Sequence, residues 1–537
     1  MAATSGTIAK RRTTACRVDF AACAAVLLLL AAMPSFADAP KLPDVLKPPP
    51  DNPKLKTPAQ KEAPTAFAGK EPTPIPGWGV GDAKSWWIPA FDILTFDYTL
   101  NRFDHYVVDD QVYGSPMSNL RQNLRKKWIV DTDPFAVNQF YHPYQGSMYQ
   151  GFARSAGLNF WEASAYTFLG SAMWELAGEH TTPSINDQIA TGIGGNFLGE
   201  PLFRMASLLL ETSGSESPGF WRELGATVIS PATGANRLFW GDRFDGVFRS
   251  HDPAVFTRID LGYIVSTRPS TNVTDSAGLP QQQPYRRHQA SLDSTIAYGL
   301  PGKPGYTYTR PFDYFHFEFT AATSNTFENI ISRGLLYGTD YAAGDNYRGI
   351  WGLYGTYDYI APQIFRVSTT GLGLGTTGQW WLSRTIALQG TLLGGVGYGA
   401  GGVTRGAGIG APGTTGEGQR DYHYGFTPQE LIAARVIFGD RFSIDSSVRD
   451  YSITHLAASE SDGSENIFRA DISLTLRVYN LHGLTVRYTD TRRNAHYGTQ
   501  APTTQSVGAI SLVYSLLGQT HFGAVDWRPA SEGGPLK

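Results

Sequence analysis

The chain has 537 residues, a formal net charge of −3, 17% charged and 13% aromatic residues, and 59 glycines. That charge balance gives no basis for nucleic-acid binding. With only two cysteines, Cys16 and Cys23, both near the N-terminus, disulfide-rich and thiolate-metal classes are excluded as well.

Residues 1–37 read as a secretory signal. Lys10, Arg11, Arg12 and Arg17 lead into the apolar run "AACAAVLLLLAA", and "SFADA" follows, which places cleavage after Ala37. The apolar core is too short to span a bilayer. Both cysteines lie within the signal, and most of the apolar run follows Cys23, which argues against a lipid-modified Cys23. The mature chain then has no cysteine, 40 basic residues and 46 acidic ones, a net charge of −6. Residues 38–77 are dense in Pro and Lys and cannot bury enough apolar surface to fold. They are expected to form an extended linker, either a plain spacer or an arm that docks a periplasmic partner through residues 40–76.

Residues 78–250 carry a helical period. "LNFWEASAYTFLGSAMWELAGE" gives a long helix in which Ser164, Phe168, Ser171, Glu175 and Gly178 recur at steps of three and four. "TTPSIND" breaks it at Pro183 and restarts it, with Ser184 and Asp187 in the form of a capping box. Gly192, Gly195 and Gly199 follow at helical steps and invite close backbone approach. Residues 158–211 are therefore expected to form a tight helical hairpin.

From about residue 251 to 525 the period becomes two, and residues 526–537 read as a tail. In "FRADISLTLRV", Phe468, Ala470, Ile472, Leu474, Leu476 and Val478 share one face. Arg469, Asp471, Ser473, Thr475 and Arg477 share the other. Phe315, Phe317 and Phe319 oppose His316, Glu318 and Thr320 in the same way, and Ala290, Leu292, Ile296 and Tyr298 oppose Gln289, Ser291, Asp293 and Thr295. Twelve such segments are expected, near 254–266, 287–299, 312–323, 328–340, 348–360, 364–376, 383–398, 421–437, 441–453, 466–479, 482–492 and 505–517. Low charge, mean hydropathy of −0.22, many aromatics near segment ends and no apolar run long enough for a membrane helix point to a transmembrane barrel. A soluble β-domain would also alternate. The fold class is thus α+β: an N-terminal helical module followed by an antiparallel transmembrane β-barrel of about twelve strands, with bacterial outer-membrane lipid as its surroundings.

Residues 128–211 resemble an uncharacterised family of Gram-negative bacterial proteins, a domain of unknown function. The resemblance rests on Asn138 and Gln139 with His142, Pro143 and Tyr144; on Ala153, Arg154 and Ser155; on Gly170 and Ser171 with Trp174 and Glu175; on Pro183, Ser184, Ile185, Asn186 and Asp187; and on Gly199 and Glu200 followed by Arg204. It implies an outer-membrane association and carries no activity over.

The polar residues of this region admit three readings. As a catalytic centre for an outer-membrane lipid hydrolase, His142, Glu175, Ser184 and Asp187 are the candidates, although no nucleophile-elbow or triad spacing occurs. As a hard-metal site, the carboxylates have suitable chemistry but no fixed ligand motif, so no metal and no cofactor is assigned. As a structural polar network, Arg154, Glu175, Glu179, Ser184, Asn186, Asp187, Glu200 and Arg204 fix the geometry of two helices. This last reading answers the sequence best. The function expected is a non-enzymatic outer-membrane protein, a small-solute passage or an envelope-structural element, with the helical module covering or plugging the barrel mouth. Inward charges such as Asp293, Glu318, Arg469, Arg477 and Arg487 suit either a polar passage or internal salt bridges.

Overall fold

The computed structural model describes residues 84–107, 112–114, 116–131, 133–212, 218–240, 247–248, 252–271, 288–323, 325–362, 365–403, 422–454, 463–497 and 502–527. The expected signal and the whole expected linker, residues 1–77, and most of the expected tail, residues 526–537, lie outside these residues.

Twelve strands form a closed barrel. They are β1 (Val255–Thr271), β2 (His288–Tyr298), β3 (Phe315–Ala322), β4 (Asn325–Ala343), β5 (Tyr347–Ile360) and β6 (Phe365–Trp381). The ring continues with β7 (Ile386–Val403), β8 (Tyr422–Phe438), β9 (Phe442–Thr454), β10 (Gly463–Tyr479), β11 (His482–Tyr497) and β12 (Thr503–Leu517). Each strand pairs antiparallel with its chain neighbours, and β12 closes on β1 through pairs such as Leu512↔Tyr263. Closure leaves no unpaired strand edge. All twelve expected segments coincide with strands. Several strands overrun the expected length, β4 most of all with 19 residues. The turns after β4, β6, β8 and β10 are short, and the connections at the opposite end include the longest ones.

Alternation sorts the two faces as the period requires. On β10, Ile472, Leu474 and Leu476 point outward and are about half exposed, while Ser473 and Thr475 are buried in the lumen. Leu261 and Tyr263 on β1, Leu484 and Val486 on β11, and Leu512 on β12 extend this exposed apolar belt. Trp351, Trp380, Tyr479 and Tyr514 lie toward the short-turn ends of their strands, where an aromatic girdle belongs.

The polar lumen is filled. Arg258 pairs with Asp260 and Asp445, both at 3.2 Å, and Arg487 pairs with Asp260 (2.8 Å) and Asp293 (3.1 Å). Arg469 meets Asp471 at 3.0 Å, and Arg493 meets Glu465 at 2.6 Å. Toward the long-loop end, Ile331, Ile360, Phe365, Val367, Tyr451, Ile453 and Ile467 form an apolar layer across the ring. After β12 the chain turns back into the short-turn mouth. There the Val525 carbonyl accepts from Gln379 Nε2 (2.7 Å) and Trp381 Nε1 (3.0 Å), and Phe522 packs beside Phe256. Between these layers lies a cavity of about 150 Å³ lined by the charged pairs. Of the two outcomes the inward charges allow, the structure adopts internal salt bridges.

The helical residues comprise α1 (Trp87–Val107), α2 (Pro116–Asn123), α3 (His142–Ser155), α4 (Phe160–Met173), α5 (Ile185–Ile189), α6 (Gly195–Leu210), α7 (Phe220–Ile229) and α8 (Pro231–Phe239). The expectation that they cover or plug the mouth is corrected. They pack on the outer wall, against side chains of the opposite parity to those lining the lumen. Phe135, Phe140, Phe160, Phe197 and Leu198 bury against outward-facing Ile296, Tyr298, Phe315, Phe317, Ile330, Leu336, Tyr357 and Tyr359. The physical reason lies in those strands: their outer faces are aromatic and carry hydroxyls that need partners. Tyr357 donates to the Gln139 carbonyl (2.7 Å) and Ser332 to the Phe197 carbonyl (2.6 Å).

The expected helical hairpin is also corrected. α6 lies closest to α3, not α4. A Cβ on Gly195 would stand 2.5 Å from Gly146 Cα, and one on Gly146 would stand 2.1 Å from the Thr191 carbonyl oxygen. The two backbones touch there, which only glycine permits. Gly199 meets Ser147 and Gln150 on the same helix, whereas Gly192 faces Phe168 of α4.

Candidate functional site

Two buried polar clusters lie between the helices and the wall. The sequence suggested one network, and the structure divides it. In the first cluster, Glu200 on α6 accepts from Arg154 Nε on α3 (2.7 Å) and from Arg204 Nε one turn on (2.8 Å). Arg204 continues to Asp313 (3.1 Å) and to the Pro311 carbonyl (2.6 Å), in the segment between β2 and β3. All four charged residues are almost fully buried. Burial pushes the Glu200 carboxyl upward, but the two guanidiniums outweigh it and hold it below the usual carboxylate range. The cluster clamps α3 and α6 to the barrel.

The second cluster gathers His142, Glu175 and Asp187, each near 5% exposure or less. One ligand-type atom from each lies within 4.8 Å of the others. Local sequence explains the placement. Pro143 at the first turn starts α3 beside His142. Pro183 ends the preceding stretch, and Ser184 caps α5 by accepting from the Asp187 N–H (3.2 Å). The reciprocal half of the expected capping box is supplied from elsewhere: Glu175 Oε2, not Asp187, accepts from the Ser184 N–H (2.8 Å). A full capping box does occur at Asn159 and Glu162, which open α4.

Three π-helical turns flank this cluster. Val137–Tyr141 immediately precedes His142, Trp174–Gly178 contains Glu175, and Ala190–Gly194 follows α5. Such turns are rare and gather at functional sites. The rim is polar. Asn186 Nδ2 donates to Asp131 Oδ1 (2.8 Å), to Asp187 Oδ1 (3.1 Å) and to the Tyr424 hydroxyl (2.9 Å). Asn138 donates to the same Asp131 oxygen (2.6 Å) and to Tyr422 and Tyr424. Tyr422 and Tyr424 stand on the outer face of β8, so the barrel wall completes the cluster.

Neither Arg154 nor Arg204 reaches these acids, contrary to the single network expected. Burial, with Glu179 as the next contributor, raises the Glu175 carboxyl well above its ordinary value. Burial together with Asp131 and Glu175 does the same to Asp187, and burial lowers His142. Glu179 stands at the edge, where its carboxylate accepts from Trp174 Nε1 (2.9 Å) and from the Thr181 hydroxyl (2.8 Å). The Ser184 hydroxyl is engaged by Asn186 (2.8 Å) as well as by the Asp187 N–H.

Sequence reading did not select Asp131, Asp313, Tyr422, Tyr424 or Gly146. The hydroxyls of "DYHYGF" offered one signal, since two tyrosines two residues apart on one strand face are costly in lipid without partners.

The architecture is that of a closed antiparallel barrel with an appended helical module. A family model described as a domain of unknown function (DUF3943) matches residues 127–232, which takes in both clusters apart from Asp313, Tyr422 and Tyr424. No match was found among curated proteins. Among solved structures, the TodX monoaromatic hydrocarbon channel deltaS2 mutant aligns at 10% identity, covering 55% of this chain and 94% of that one, with a TM-score of 0.21. OpdQ of Pseudomonas aeruginosa aligns at 9% identity over 49% and 97% of the two chains, with a TM-score of 0.18. The translocator domain of the autotransporter NalP from Neisseria meningitidis aligns at 12% over 48% and 86%, with a TM-score of 0.19. At such scores the fold assignment rests on the strand pairing itself.

Proposed function

We propose that this is an outer-membrane protein, exported by its N-terminal signal, in which a closed barrel anchors the helical module in the envelope. The single observation that carries the reading is the division of the strands: charged pairs inside, and a belt of exposed Leu, Ile, Val and aromatic side chains outside. A water-soluble chain would rarely leave a continuous apolar surface of that kind. Short turns at one end would then face the periplasm.

The helices share this surface. Trp87, Phe91, Leu94 and Tyr98 recur at helical spacing along α1 and are all more than half exposed, as are Trp221, Leu238 and Phe239. Trp161 stacks on the belt residue Tyr337 with ring centroids 5.3 Å apart. The lipid-facing surface thus runs from the barrel onto the module, and membrane lipid is the partner of both. An interaction arm at residues 40–76 for a periplasmic protein belongs to the same reading.

An envelope-structural role fits the filled lumen better than solute passage. In planar bilayers the purified protein is expected to show no steady single-channel current, and a heat-modifiable band on gels of outer-membrane fractions. A stable ohmic conductance would overturn the closed-anchor reading. One observation favours a second reading, a lipid-modifying hydrolase: the convergence of His142, Glu175 and Asp187 beside the wall. The capped Ser184 does not provide a free nucleophile. Unchanged envelope lipids in His142→Ala, Glu175→Ala and Ser184→Ala cells would remove that reading.

A further inference from the structure

We propose that His142, Glu175 and Asp187 bind one divalent transition-metal ion. The argument begins with how the chain treats its other buried acids. Glu200 receives two arginines, and Asp313 receives Arg204 and Arg310. Glu175 and Asp187 are as deeply buried, yet among the described residues no Lys or Arg forms an ion pair with either. Two unneutralised carboxylates in such a place are costly. A cation between them removes that cost.

The geometry suits a small ion. His142 Nε2 and Asp187 Oδ2 are 3.5 Å apart, close to the ~3.4 Å edge of a tetrahedron with bonds of about 2.0–2.1 Å. Glu175 approaches from a third helical segment, so closing the set needs only a small contraction within 4.8 Å. Further polar atoms stand nearby in sequence on the same helix faces. Ser171 Oγ, four residues before Glu175, and Asn138 Oδ1, four before His142, are buried and have no hydrogen-bond partner among the described residues. The Tyr424–Asn186–Asp131 chain behind Asp187 orients its carboxylate in the way outer partners orient ligands. One imidazole and two carboxylates without thiolate favour Zn²⁺, Mn²⁺ or Fe²⁺ over Ca²⁺, which takes six to eight oxygens.

The test uses the full mature chain in detergent, stripped with a chelator and titrated with Zn²⁺, Mn²⁺ and Co²⁺. Metal content is read by elemental analysis after desalting, and Co²⁺ coordination by its visible spectrum. One equivalent of metal per chain is expected, with a Co²⁺ band of a low-coordinate N/O site. Losing an outer partner of a ligand lowers affinity about 10–100-fold, so His142→Ala and Asp187→Asn should cost at least as much while the barrel still shows heat-modifiable migration. Gly394→Ala, at an outward position on β7 where a Cβ meets nothing within 4 Å, should leave the stoichiometry unchanged. Absence of stoichiometric metal in the folded wild type, or unaltered binding in folded His142→Ala and Asp187→Asn, would overturn the proposal. These outcomes do not depend on whether the barrel conducts.

Discussion

Replacing Glu200 with Ala is expected to release the helical module from the barrel while leaving the barrel closed. Glu200 is fully buried and is shared by Arg154 (2.7 Å) and Arg204 (2.8 Å). Among the described residues, its removal leaves Arg154 with a backbone carbonyl, that of Leu158, as its only other hydrogen-bond partner. Breaking a buried pair from one side costs about 3–5 kcal/mol, because the remaining charge stays desolvated. Limited proteolysis of the folded protein should therefore cut within residues 84–240 far faster than in wild type, with the strands still protected. The pH dependence has a defined sign. The folded-state pKa of Glu200 is depressed, so its stabilisation is present above the unfolded value near 4.5 and is lost as pH falls through the folded one. Wild type should thus lose module protection under acid in a way that the Ala variant, already loosened, does not.

The second large effect is expected at Gly195. A methyl group there meets Gly146 Cα at 2.5 Å and the Gly146 carbonyl carbon at 2.7 Å, both backbone atoms that no rotamer change can move. Overpacking of a rigid contact costs about 1–3 kcal/mol or more, and separating α3 from α6 also displaces Arg154 from Glu200. Gly195→Leu should therefore act more strongly than Gly195→Ala, and both should be read by the same proteolysis. Gly394→Ala provides the control. That glycine faces outward on β7, and a Cβ there meets nothing within 4 Å, so thermal unfolding in detergent should be unchanged.

The barrel was legible because its signal is local. Period-two alternation in segments such as Phe468–Val478 states which side chains face which way, and twelve repeats of it leave little topological freedom once edges must close. The direction in which the outward faces of β2 to β5 are satisfied was not legible. Phe315, Phe317, Tyr357 and Tyr359 look like lipid-facing residues in one dimension, and only the fold shows that helices cover them. The site divides along the same line. His142, Glu175, Ser184, Asn186 and Asp187 lie within 46 residues, and their helix and cap signals placed them together. The partners that decide their chemistry come from far along the chain: Tyr424 to Asn186, and Asp313 to Arg204. A single network would have had Arg154 and Arg204 serve the buried acids of the whole segment, but both go to Glu200. The close-packed pair at Gly146 and Gly195 was half visible, since the glycine steps leading into α6 were clear, whereas Gly146 and Gly151 stand five residues apart in α3 and form no such step.

The central claim, that the outward faces of the strands and of α1 meet lipid while the lumen does not, has a direct measurement. The two native cysteines, Cys16 and Cys23, are replaced by Ser, so that each single-cysteine variant carries one label. Spin labels at Leu474, Leu484 and Leu512, at the lumenal Ser473 and Thr485, and at Leu94 on α1 can be compared in bilayers for collision with oxygen and with a water-soluble nickel chelate. The account predicts high oxygen and low nickel accessibility at Leu474, Leu484, Leu512 and Leu94, with Ser473 and Thr485 shielded from both. Free access of the nickel chelate to Leu474, Leu484 and Leu512 would contradict it.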